Sequence, residues 1–83
     1  MTNDGKYITW MTDDGPGISD DVFAASFEDA AEQAFRTIQK DNYPSSIDDG
    51  EIIPLTIVHA SDGETQRFEV YADGPLVEKK RLN

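Results

Sequence analysis

Five of the six glycines in this chain directly follow an aspartate: Asp4-Gly5, Asp14-Gly15, Asp49-Gly50, Asp62-Gly63 and Asp73-Gly74. Asp-Gly is a strong reversal signal, because aspartate tolerates and glycine favours a positive φ. These dipeptides punctuate the chain into short segments, without any repeat running between them. Its 83 residues correspond to one domain, 1–83, with a folded body over about 6–72 and one modest core.

Lys6–Thr12 reads as a strand rich in β-branched and aromatic residues. Asp13–Ser19 is a loop, and Asp21–Ala25 is a short second strand antiparallel to the first. Ser26 has the character of a helix N-cap, with Asp29 three residues on as a relative of the capping box. Phe27, Ala30, Ala31, Ala34, Phe35 and Ile38 then form one apolar stripe at helical spacing, predicting a helix over residues 27–40. Acids at its start and Arg36 and Lys40 at its end suit the helix dipole. Asn42, Tyr43 and Pro44 stop it, and an acidic loop fills 41–51.

Leu55–Ala60 and Glu64–Tyr71 form a hairpin. A two-residue turn at Asp62-Gly63 would set Ile57 opposite Phe68, Leu55 opposite Val70 and His59 opposite Gln66. Pro54 marks the start or an edge of its strand. Pro75–Asn83 reads as a tail. The sum is an α+β domain of plan β-β-α-β-β, an antiparallel sheet with one helix packed on one face. The uncovered face is expected to carry Tyr7, Thr9, Met11, Val58, Arg67 and Tyr71, a contact patch.

Charge narrows the function. Seventeen Asp and Glu face seven Lys and Arg, for a formal net charge of −10. Lys79, Lys80 and Arg81 hold three of those cations, so residues 1–78 carry seventeen acids against four bases, −13. Such a body repels nucleic acid and anionic membrane and attracts basic protein surfaces. No cysteine is present, so disulfides and thiolate metal sites are excluded. No stretch is apolar enough to span a bilayer, and Met1-Thr2-Asn3-Asp4-Gly5 lacks signal-peptide character; a cytoplasmic protein is expected. His59, the single histidine, has no companion ligands or nucleophile motif in sequence. No enzyme, metal or cofactor is expected.

Asp13-Asp14-Gly15-Pro16-Gly17-Ile18 fits D-x-G-x-G-I. Together with Val22-Phe23 and Ser26-Phe27-Glu28, it resembles the ATP-binding G1 box of sensor histidine kinases and related ATPases. That resemblance implies Asp13 on the adenine amine and glycines that admit the nucleotide to the backbone. The family also has an upstream helix bearing a magnesium-holding asparagine and a downstream glycine-rich lid. Only twelve residues precede Asp13, and nothing after Ile18 resembles a lid. The run is therefore read as strand, reversal and strand, with a nucleotide-binding fragment as an alternative.

The leading expectation is a non-enzymatic acidic module that binds a basic protein surface, possessed by a nucleic-acid-binding effector. Glu28 and Glu32, one helical turn apart, lie about 5–6 Å from one another. Carboxylates so spaced can occupy arginines that would otherwise hold phosphates. The candidate partner-binding residues are Asp13, Asp14, Asp20, Asp21, Glu28, Asp29, Glu32, Asp48, Asp49 and Glu51. In size, acidity and plan the chain resembles small phage-borne inhibitors, the anti-CRISPR and anti-restriction proteins. That implies a target in bacterial defence, DNA mimicry and a place in the bacterial host cell. The run Phe27–Ile38 also resembles the helix of HicB-type antitoxins, which place three strands before the helix where two are read here. That implies an antitoxin or complex subunit. A strand edge near Pro54 or Tyr71 allows a symmetric homodimer through sheet extension, with a monomer as the alternative.

Overall fold

The computed structural model describes residues 5–82 except 14, 16, 18 and 42–49. Six elements follow in order: β1 (Gly5–Met11), β2 (Asp20–Ala24), α1 (Phe27–Asp41), β3 (Ile53–His59), β4 (Thr65–Asp73) and β5 (Leu76–Leu82). All strand pairings are antiparallel, and the sheet order is β2-β1-β3-β4-β5. The helix lies across one face and touches every strand. The α+β class, the antiparallel sheet and the single helix on one face therefore agree with the sequence reading. No helix among the described residues is long and apolar enough to cross a membrane.

The helix starts where its cap directs it. Ser26 Oγ accepts the Asp29 backbone N–H at 3.1 Å, and the Ser26 carbonyl takes the first helical bond from Ala30 at 3.0 Å. Asp29 Oδ2 reaches back to the Ala25 N–H at 3.1 Å, one residue before the cap. Ala30, Ala31, Ala34 and Phe35 face the sheet, fully or almost fully buried, with Phe27 and Ile38 at the margins. Beneath them lie Tyr7, Ala24, Ile53, Leu55, Ile57, Phe68, Val70 and Ala72.

Three features depart from the sequence reading. First, Pro75–Asn83 is not a tail: Leu76–Leu82 is a fifth strand, paired to β4 from Asp73↔Leu76 through Arg67↔Leu82. The reversal is Gly74-Pro75, with Gly74 at φ 61, the left-handed value a two-residue hairpin turn requires at its first position. Second, the β3–β4 register differs. Leu55 faces Phe68, Ile57 faces Gln66 and Ile53 faces Val70, and the loop is four residues long, Ala60–Gly63. Gly63, at φ 75, donates its N–H to the His59 carbonyl at 2.8 Å, closing that longer loop. The shift is two residues, so parity is preserved and Leu55, Ile57, Phe68 and Val70 remain in the core.

Third, β1 is turned over. Tyr7 and Thr9 are 6% and 2% exposed and lie under the helix, with Met11 packed beside the core. The uncovered face instead carries Ile8 and Trp10, joined across the register by Thr56, Val58, Arg67 and, further along β4, Tyr71. Pro54 sits at the start of the central strand rather than at an edge; the edges are β2 and β5.

Candidate functional site

The turn between β3 and β4 and the first turn of α1 meet at one corner of the domain. Its floor is aromatic. Tyr7 stacks on His59 with ring centroids 4.7 Å apart and planes 23° from parallel, and Phe27 meets Tyr7 edge-on at 5.1 Å. Gly5 makes this stacking possible: a Cβ there would stand 2.9 Å from His59 Nε2, so any side chain would push the imidazole off its seat.

One carboxylate stands at the edge of this floor. Asp62 Oδ1 accepts the Glu64 backbone N–H at 2.9 Å and lies 3.2 Å from His59 Nδ1. The Glu64 N–H, then the neighbouring imidazole, hold the Asp62 carboxyl below its ordinary value. Tyr7 is displaced the other way. Burial, followed by the charges of Asp62, Glu64, Glu28 and Asp29, raises its hydroxyl above the usual tyrosine value. Those four acids come from two segments far apart in sequence, and all act on the same phenol.

One cation already occupies the margin of this corner. Arg81 Nη2 donates to Glu28 Oε2 at 2.8 Å, and its guanidinium lies 5.9 Å from the Phe27 ring centroid and 5.5 Å from that of Phe68. One turn along, Lys79 Nζ donates to Glu32 Oε1 at 2.8 Å, and Arg36 lies 3.6 Å from Glu32. The Lys79 hydrogen bond is the main reason that the Glu32 carboxyl sits below its ordinary value.

Glu28 and Glu32, expected to face a partner, are thus ion-paired to β5. Asp29 belongs to the helix cap and also lies 3.4 Å from Gln33 Nε2. Asp21 pairs with Lys6 across the β1–β2 hairpin at 3.3 Å. Asp13, Asp20 and Glu51 are exposed. Asp14, Asp48 and Asp49 fall outside the described residues. His59, Asp62 and Glu64 are not among the contact residues expected from the sequence, and Tyr7 is expected on the opposite, uncovered face. The acids flanking the Asp62-Gly63 turn, with His59 three residues before Asp62, were the available signal.

Ser61, His59 and Asp62 bring hydroxyl, imidazole and carboxylate within one turn. Ser61 Oγ lies 3.3 Å from Nε2 and 3.5 Å from Nδ1. A hydroxyl nearly equidistant from both ring nitrogens lies along the lone-pair axis of neither, so no in-line proton transfer is set up. Asp62 lies 3.2 Å from Nδ1. The cluster braces a turn. Among the described residues, no group of three or more His, Asp or Glu is placed to hold a metal ion.

The G1-like run spans the connection between β1 and β2, two antiparallel neighbours. Asp13 is exposed, and Gly15, at φ 76, donates its N–H to the Met11 carbonyl at 3.2 Å. That is the geometry of a reversal. No protein-family model, curated protein or solved structure matches this chain.

Proposed function

We propose that this chain is a non-catalytic, acidic protein-binding module that takes basic side chains of a partner at the corner formed by the α1 start and the β3–β4 turn. One observation carries the reading: Asp62 lies 3.2 Å from the His59 imidazole that stacks on Tyr7, and the charges of Asp62, Glu64, Glu28 and Asp29 all act on that same tyrosine. Carboxylates beside π-faces attract a guanidinium or ammonium through both charge and quadrupole. Arg81, seated between Glu28, Phe27 and Phe68, is an internal example of that chemistry. In its finer form the proposal makes the module an inhibitor, of the anti-CRISPR or anti-restriction kind. It would cover the phosphate-binding arginines of a defence effector. Because β5 already engages Glu28 and Glu32, such mimicry would rest on Asp62, Glu64 and the exposed acids of the loops.

The test is capture of partners from a bacterial lysate at low and at high salt, with the wild-type chain and with a D62N/E64Q variant. The paired substitution keeps the hydrogen-bonding shapes and removes two charges. A nucleic-acid-binding protein held at low salt by the wild type alone supports the proposal. Equal capture by the variant refutes the corner as the site.

A second reading rests on a different observation. Ile8, Trp10, Val58 and Tyr71 lie on the sheet face opposite α1, which no element among the described residues covers. In that reading the chain is a subunit of a stable complex, such as an antitoxin with its toxin. Its signature is a salt-resistant partner lost on Trp10→Ala.

A further inference from the structure

β5 is an edge strand, and the direction of each of its backbone groups follows from its neighbours. The His59 N–H donates to the Glu64 carbonyl at 2.8 Å, and the Gly50 N–H donates to Ala72 at 2.9 Å. Even-numbered residues of β4 and its entry therefore address the β3 side. Arg67, Glu69, Tyr71 and Asp73 address β5, opposite Leu82, Lys80, Glu78 and Leu76. Antiparallel ladders alternate strictly. The N–H and C=O groups of Val77, Lys79 and Arg81 consequently point off the sheet.

A second copy of this strand can add antiparallel only where outward-pointing residues meet outward-pointing residues. Centred on Lys79, that rule sets Val77 opposite the second copy's Arg81. It also sets Glu78 opposite Lys80 and Leu76 opposite Leu82, each pair occurring twice by symmetry. Centring on Glu78 would instead place Glu78 against itself, and centring on Lys80 would place Lys80 against itself. The sequence Leu76-Val77-Glu78-Lys79-Lys80-Arg81-Leu82 is thus self-complementary in one register. In that register Lys80 stands between Glu69 of its own sheet and Glu78 of the other copy. The two Lys79 residues that meet on the axis are each already held by Glu32 at 2.8 Å. Leu76, 60% exposed, gains an apolar neighbour.

We infer that β5 is a self-pairing edge through which two copies join about a two-fold axis at Lys79, making one continuous sheet of twice five strands. Charged edge strands ordinarily discourage such pairing. Here Glu78 and Lys80 oppose one another at two symmetric places, the like-charged Lys79 pair on the axis is offset by Glu32, and the strand has neither a proline nor a break in its register. The opposite edge, β2, has Asp20 and Asp21 and no base, so it has no comparable register with itself. The axis is perpendicular to the sheet, so both helices lie on one side. The Trp10 faces of both copies run together on the other.

Sedimentation velocity from micromolar to millimolar concentration provides the first test, with circular dichroism confirming that each variant retains its fold. The wild type should approach twice the 9.2 kDa chain mass. Lys80→Glu sets glutamate against Glu78 at two symmetric places and should weaken dimerisation at least roughly tenfold. The swap E78K/K80E restores opposite charges and should recover dimerisation. Because the chain has no cysteine, a mixture of E78C and K80C chains tests the register directly and should oxidise to the mixed disulfide over either homodimer. A wild type that stays monomeric, a K80E variant that dimerises unchanged, a swap without recovery, or homodisulfides formed as readily as mixed ones would each overturn the inference.

Discussion

Phenylalanines placed at different depths give the two-layer packing a quantitative test. Phe68 is fully buried beneath the helix, with Leu55 and Arg81 as its cross-strand neighbours. Phe23, on the edge strand β2, is 62% exposed. Phe68→Ala removes the same atoms as Phe23→Ala but leaves a cavity, and the guanidinium of Arg81 loses the ring 5.5 Å from it. Core Phe→Ala substitutions cost about 3–5 kcal/mol. A domain of this length has roughly 4–12 kcal/mol of stability in total. Phe68→Ala should therefore take most of the transition midpoint away in urea unfolding, and Phe23→Ala should lie within about 0.5 kcal/mol of the wild type. Phe27, half-buried against Tyr7 and His59, should fall between them. A Phe68→Ala loss below about 1.5 kcal/mol, or a larger loss at Phe23, would refute the assignment of the two residues to core and surface.

Other outcomes follow from single contacts. Gly63→Ala should cost about 1 kcal/mol, because its φ of 75 is left-handed. Gly17→Ala, with nothing within 4 Å of the added Cβ, should be near neutral in the same urea unfolding. A double-mutant cycle on Lys79 and Glu32 should give a coupling of about 1 kcal/mol, falling with added salt, since both side chains keep solvent contact. The folded-state value of the Glu32 carboxyl is depressed, so its contribution is present above the ordinary 4.5 and lost as pH falls through the depressed value. Acid titration of wild type against Glu32→Gln reads that difference. Tyr7 has the opposite sign: its raised value gives a contribution fully present below 10.0 and lost as pH climbs through the raised value. Alkaline unfolding of Tyr7→Phe should therefore occur at higher pH than that of the wild type.

The helix was legible in the sequence because its stripe, its cap and its charge order all agree. Ser26 and Phe35 do in the structure what their spacing predicts. The orientation of β1 was not legible, because Tyr7, Ile8, Thr9, Trp10 and Met11 offer no polar and apolar alternation to read. Packing across the sheet decides it. With Ala30, Ala31 and Ala34 buried at the interface, the helix lies close to the strands, and slim Thr9 suits the space below it better than Trp10. The hairpin core survived a wrong turn length because the register error was even. β5 was hidden by its charges: Glu78, Lys79, Lys80 and Arg81 resemble a solvated tail until the partners on α1 are known. Of the candidate site, Glu28 and Asp29 were visible. Their convergence with Asp62 and Glu64 depends on long-range pairing between β1 and β3, which no local pattern encodes.

The same sheet order carries a kinetic consequence. Every strand contact except β1–β3 joins neighbours in sequence, so the molecule consists of a ribbon of β2 and β1 and a meander of β3, β4 and β5. Such ribbons form in roughly microseconds, whereas joining distant segments waits on loop closure. The contacts from Tyr7↔His59 to Met11↔Leu55 are then the slow zipper of the fold, with α1 lying over both halves. Conservative truncations at Ile57 are expected to slow folding, and those at Val77 to speed unfolding instead. Stopped-flow chevrons that show the reverse would place the rate-limiting event within the meander.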